Sequence, residues 1–117
     1  MIRTIAWAST GFLASVALAA SVHAAGMLTA ANGMTLYVFD KDMGGKPTCY
    51  ATCAKNWPPY IAKKGAKMMK GWTEVARTGG KMQWAYDGKP LYRWKKDAKP
   101  GDTSGDGVGG VWHAAME

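Results

Sequence analysis

The sequence is poor in the side chains that most often carry chemistry. It holds two cysteines and two histidines in 117 residues, and His23 falls in an N-terminal stretch that reads as a leader. No Cys-x-x-Cys-His run occurs, which excludes a covalently attached c-type haem. Cys49 and Cys53 are spaced more widely than a thioredoxin-like Cys-x-x-Cys pair, and no βαβ pattern surrounds them. No phosphate-cradling loop opens a helix, no nucleophile elbow is present, and nothing around His113 suggests a triad. These absences predict a protein that is not an enzyme. Acidic residues are also scarce, 8 against 15 Lys and Arg, for a net charge of +7. Apolar runs long enough to span a bilayer are missing after the first residues.

Residues 1–24 have the form of a secretory signal peptide. Arg3 supplies the positive end, Ile5 to Leu18 is apolar and small, and Val22-His23-Ala24 offers small residues at the cleavage site. No cysteine stands at that site, so lipid attachment there is excluded chemically. The rest, residues 25–117, is expected to be a single exported β-rich domain. A domain this small is marginal unless stapled or densely aromatic. Trp57, Trp72, Trp84, Trp94 and Trp112 all follow the leader and are the expected source of core.

The chain writes one stretch twice. Leu36-Tyr37-Val38-Phe39-Asp40-Lys41-Asp42 returns as Leu91-Tyr92-Arg93-Trp94-Lys95-Lys96-Asp97, each after a turn dipeptide, Asn32-Gly33 or Asp87-Gly88. The register carries Thr48 onto Thr103 and Trp57 onto Trp112 without a gap. Repeat one covers about 25–62 and repeat two about 72–117. The expected architecture is mainly β: a small antiparallel domain built from two pseudo-symmetric hairpin repeats, with a short helical turn near the Cys-x-x-x-Cys segment.

In chain order, Asn32-Gly33 suits a two-residue type I′ turn, and Met34 to Phe39 reads as a strand. Alternation places Leu36 and Val38 on one face and Tyr37 and Phe39 on the other. Thr48 is the expected N-cap of the helical turn, which Pro58-Pro59 ends. Ile61 to Gly71 is a basic linker. Strands are expected at Trp72–Arg77, Met82–Tyr86, Pro90–Trp94 and Val111–Ala115, with Pro90 at a first or edge position.

Candidate functional residues are few. Export favours a disulfide between Cys49 and Cys53, although helical spacing of their Cβ atoms is too wide for one, so the backbone there must be distorted or the bond strained. The alternative is a Cu(I) site of Cys49 and Cys53 completed by Met43 or His113, in a periplasmic copper or redox accessory protein. Asp97, Asp102 and Asp106 invite calcium, but the spacing does not follow an EF-hand, and aspartates among glycines commonly accept backbone N–H bonds in turns. Asp42 and Asp97 sit just past their strands, either as turn caps or as partners of tyrosine in a binding groove. The run Lys63-Lys64-Gly65-Ala66-Lys67-Met68-Met69-Lys70, with Lys95, Lys96 and Lys99, is either a solvated face or a contact for an anionic surface. Nucleic acid is not an expected partner, since no recognition-helix pattern is present.

Tyr37-x-Phe39-x-x-Asp42 and Tyr92-x-Trp94-x-x-Asp97 resemble the Tyr-x-(Phe/Trp/Tyr)-x-x-Asp signature of a family of small bacterial secreted repeats and lipoproteins of unknown function. Cys49 to Pro59, with Cys-x-x-x-Cys followed by Trp-Pro-Pro, resembles it as well. So do Asp87 to Tyr92, Pro100-Gly101-Asp102 and Gly109-Gly110-Val111-Trp112. The resemblance implies a bacterial envelope location and no established activity; the chain departs from the family in lacking a lipobox cysteine, so the expected form is periplasmic or secreted rather than lipid-anchored. The expectation is therefore a non-catalytic exported module that binds an unidentified envelope ligand or protein, with no cofactor assigned.

Overall fold

The computed structural model describes residues 26–117; the leader expected over residues 1–24 lies outside the described residues. The elements are β1 (Tyr37–Phe39), α1 (Thr52–Asn56), β2 (Trp72–Ala76), β3 (Met82–Tyr86), β4 (Lys89–Pro90) and β5 (Trp112–Ala114), with a 3-10 turn at Val108–Gly110. β1 pairs with β5 in one antiparallel sheet, and β2, β3 and β4 form a second in that order. The expected mainly β class and the helical turn beside the cysteines are both present. Pro90 lies on the outer strand β4, where its missing N–H breaks no ladder.

The strands are shorter than their sequence pattern suggests, because the backbone changes partner along each stretch. Leu36 donates to Leu28, Tyr37 exchanges bonds with Tyr92, and Ala115 donates to Leu36. The end of each repeat lies along the other repeat. Tyr60 N–H donates to Leu91 C=O at 2.9 Å, and at the corresponding positions Ala115 N–H donates to Leu36 C=O at 2.8 Å. Lys95 N–H reaches Asn56 C=O at 3.0 Å as Asp40 N–H reaches Val111 C=O at 2.8 Å. Neither repeat completes its own hydrogen bonding.

Alternation along the strands separates two apolar clusters. Leu36 and Leu91 face one, with Leu28, Ala62, Trp84 and Ala115. Tyr37 and Tyr92 face the other, with Cys49, Trp57 and Trp112. Val38 follows Leu36, and Phe39 follows Tyr37, as period two requires.

Two local expectations are corrected. Asn32-Gly33 does not make a two-residue type I′ turn. Gly33 alone is left-handed at φ 86°, Gly33 N–H donates to Ala30 C=O, and Asn32 Oδ1 accepts Met34 N–H at 3.0 Å. The asparagine side chain supplies a local acceptor that favours the longer connection. Asp87-Gly88, by contrast, has both residues at positive φ, 51° and 79°. Nor does Thr48 cap α1: the residue before the helix is Ala51, at φ 54° and ψ −124°, and Thr48 bonds elsewhere.

Candidate functional site

The duplicated motif residues meet across the repeats. Tyr37 Oη donates to Asp97 Oδ2 at 2.5 Å, and Tyr92 Oη donates to Asp42 Oδ2 at 2.9 Å. Each tyrosine thus binds the aspartate of the other repeat. The second carboxylate oxygen closes the loop that follows its own strand. Asp42 Oδ1 accepts Thr48 N–H and Thr48 Oγ1, both at 2.8 Å. Asp97 Oδ1 accepts Ser104 N–H at 3.0 Å and Ser104 Oγ at 2.6 Å. The counterpart of Thr48 is therefore Ser104, one place beyond Thr103. Gly105 N–H adds a bond to Tyr37 Oη at 3.2 Å. Gly105 has no room for a side chain, since a Cβ would stand 2.9 Å from both Trp57 and Tyr37.

Burial sets the electrostatics of this centre. Tyr37 and Tyr92 are fully buried. Desolvation, reinforced by the neighbouring carboxylate, raises both phenols well above their ordinary range. Burial also raises the carboxyl of Asp42, against the bonds from Thr48 and Tyr92 that hold it down. At neutral pH both hydroxyls are protonated donors.

Four aromatic rings stack beside the tyrosines. Phe39 lies 4.1 Å from Trp112, Trp112 lies 3.8 Å from Trp57, and Trp57 lies 4.0 Å from Trp94. Phe39 and Trp94 occupy matching motif positions, as do Trp57 and Trp112, so the column takes two rings from each repeat. Trp57 and Trp112 are each only 4% exposed. Tyr37, Tyr92 and Asp97 are spent on one another and on Asp42, while Phe39 and Asp42 also line a cavity of about 200 Å³ with Val38, Asp40 and Lys89.

Cys49 and Cys53 are joined as a disulfide, with Cα atoms 5.2 Å apart. The backbone is distorted between them, at Ala51, rather than regular helix. Arg77 docks this segment onto the second sheet. Its Nη2 donates to Cys49 C=O at 2.9 Å, its Nη1 donates to Gln83 Oε1 at 2.8 Å, and its guanidinium lies over the Tyr50 ring. Gln83 is fully buried and donates to Leu91 C=O at 2.7 Å. Sequence reasoning missed both residues. Gln83 alternates with Met82 and Trp84 and so reads as outward-facing; the signal was only a polar residue on the face that the cysteine segment covers.

The remaining candidates lie apart from this centre. Met43 is 74% exposed, and His113 Nε2 meets Asp40 Oδ2 at 2.8 Å on the surface. A copper site using both thiolates would first require reduction of the disulfide. Among the described residues, no group of three His, Cys, Asp or Glu is placed to hold a metal ion. Asp102 Oδ2 accepts the Ala98 and Lys99 N–H groups, which hold its carboxyl below the usual range. Asp106 accepts Ala114 N–H.

The basic segment forms a distinct surface. Lys63, Lys64, Lys67 and Lys70 are exposed, as is Lys81 on the turn before β3. Lys63, Lys64 and Lys81 line a groove of about 560 Å³ together with Ile61, Glu74 and Met82. Among the described residues the ion pairs are Lys99–Asp102 and His113–Asp40, so none of these five lysines is ion-paired, although Glu74 shares the groove. No helix of the described residues is long and apolar enough to cross a membrane.

A family described as a secreted repeat of unknown function, Lipoprotein_15, matches residues 22–60 and again residues 73–116. No curated protein and no solved structure is significantly similar to the chain.

Proposed function

The chain belongs to this family of secreted repeats, and from that membership we propose that it is an exported, non-catalytic binding module of the bacterial envelope. Its recognition surface is the basic face of Lys63, Lys64, Lys67, Lys70 and Lys81, and its partner is an anionic, phosphate-rich envelope component. One observation carries the reading: Lys63, Lys64 and Lys81 line one groove against a single carboxylate, Glu74, the exposed Lys67 and Lys70 follow in the same loop, and none of the five is ion-paired. A purely solvated face is normally interspersed with both signs of charge.

The buried motif supports the same division of labour. Tyr37, Tyr92, Asp42 and Asp97 satisfy one another, which supports a scaffold role for them and a recognition surface elsewhere. Like charges held apart on a rigid face attract a polyanion over the Debye length, about 10 Å at 0.1 M salt.

Titration with polyphosphate, a soluble phosphate-rich polyanion, tests the reading. Binding should weaken steeply as salt is raised. Replacing Lys63, Lys64, Lys67 and Lys70 with glutamine should lower affinity about 1,000-fold at low salt, since each lysine near an anionic surface contributes about 1 kcal/mol. Binding that ignores both salt and the four substitutions would refute it.

A further inference from the structure

The densest part of the basic face carries two apolar side chains that the fold leaves uncovered. Met68 and Met69 are 53% and 55% exposed, between the exposed Lys67 and Lys70. Methionine is ordinarily core filler, and the core is close by: Ala66 and Trp72 both pack against the first cluster. The loop is nonetheless fixed so that the methionines stay out. Ala66 N–H donates to Lys63 C=O at 3.0 Å at one end. At the other, Trp72 N–H donates to Met69 C=O and Asp87 N–H to Gly71 C=O, both at 2.9 Å. Gly71 lies so close to Tyr86 that a Cβ would stand 2.8 Å from the ring. A flexible apolar tip set among unpaired lysines is the pattern of a peripheral membrane contact, in which the cations meet headgroups and the apolar tip enters the acyl boundary.

Resting on the basic-face reading above, we propose that the partner is an anionic lipid bilayer and that Met68 and Met69 insert into it. A soluble polyanion offers the lysines the same phosphate chemistry but gives the methionines nothing to enter. The two sources therefore separate experimentally. The lysines act on both, whereas the methionines act on bilayers alone.

The full chain is titrated with vesicles of phosphatidylglycerol and phosphatidylcholine and, separately, with polyphosphate. Methionine oxidation by peroxide is followed on the vesicle-bound protein by mass spectrometry. The expected result is slowing of Met68 and Met69 oxidation by about fivefold or more relative to Met43 and Met116, which are exposed elsewhere. The double substitution Met68→Ser and Met69→Ser should lower vesicle affinity about tenfold and leave polyphosphate affinity unchanged. Vesicle binding with both methionines still freely oxidised, or with the double substitution silent, would overturn insertion and leave the basic-face reading standing. Failure to bind both vesicles and polyphosphate at low salt would overturn that reading and the insertion with it.

Discussion

Tyr37 and Asp97 stand in different repeats, 60 positions apart, yet share the shortest side-chain hydrogen bond of the motif, at 2.5 Å inside the protein. The corresponding pair, Tyr92 and Asp42, is longer and only partly buried. Each half of the chain therefore depends on the other to satisfy its most buried hydroxyl, but the two halves do not depend equally.

That inequality is measurable. Asp97 is buried and accepts from Tyr37 and Ser104, so Asp97→Asn should cost about 2–3 kcal/mol by losing charge-assisted bonds in a dry site. Asp42 is half-buried, and desolvation already disfavours its ionised form. Asp42→Asn should cost only about 1 kcal/mol. Urea titration of both variants checks the order; equal losses would mean that burial does not distinguish the two centres.

The phenols link stability to alkaline pH. Their folded pKa values lie above the ordinary 10.0 because burial penalises the phenolate. The unfolded chain thus ionises first as pH rises, and the stabilisation, fully present below pH 10, is lost on passing through that value toward the folded ones. The melting temperature should fall above pH 10. The double variant Tyr37→Phe, Tyr92→Phe should be less stable at neutral pH and show a shallower alkaline decline.

Ala51 holds φ 54° and ψ −124° between the joined cysteines, a conformation that a Cβ disfavours and glycine tolerates. Ala51→Gly should raise stability by about 1 kcal/mol, read as a higher melting temperature with the disulfide intact. An unchanged or lower value would mean that the segment carries no strain.

Gly105 is needed for space rather than for a left-handed backbone. A methyl group there would meet Trp57 and Tyr37 at 2.9 Å, and both belong to the closely packed second cluster. Gly105→Ala should cost about 1–3 kcal/mol by overpacking, while Gly44→Ala, with nothing within 4 Å, should lose only what its φ of 60° demands.

Much of the architecture was legible because it rests on local rules. Alternation around Tyr37 sorted Leu36 and Val38 from Tyr37 and Phe39, and Met82–Tyr86 was bounded correctly as a strand. Asp42 and Asp97 were read either as turn caps or as tyrosine partners in a binding groove; each carboxylate accepts from its own loop and from a tyrosine of the other repeat. The direction of the exchange was not legible: spacing within a repeat says nothing about which copy of the aspartate a tyrosine meets. Ser104 escaped notice for a similar reason, since strict register pointed to Thr103, whereas Asp97 accepts from the residue after it. The Asn32-Gly33 turn failed because the asparagine side chain bonds its own backbone, which composition alone does not rank against the two-residue alternative.

A double-mutant cycle on Tyr37→Phe and Asp97→Asn tests most directly whether the repeated motif clasps the two halves together. The account expects a coupling energy of about 1.5–3 kcal/mol in unfolding free energy, because neither group finds a second partner of equal quality once the other is removed. Additive losses, with coupling near zero, would contradict it and return the motif to the role of a surface waiting for a ligand.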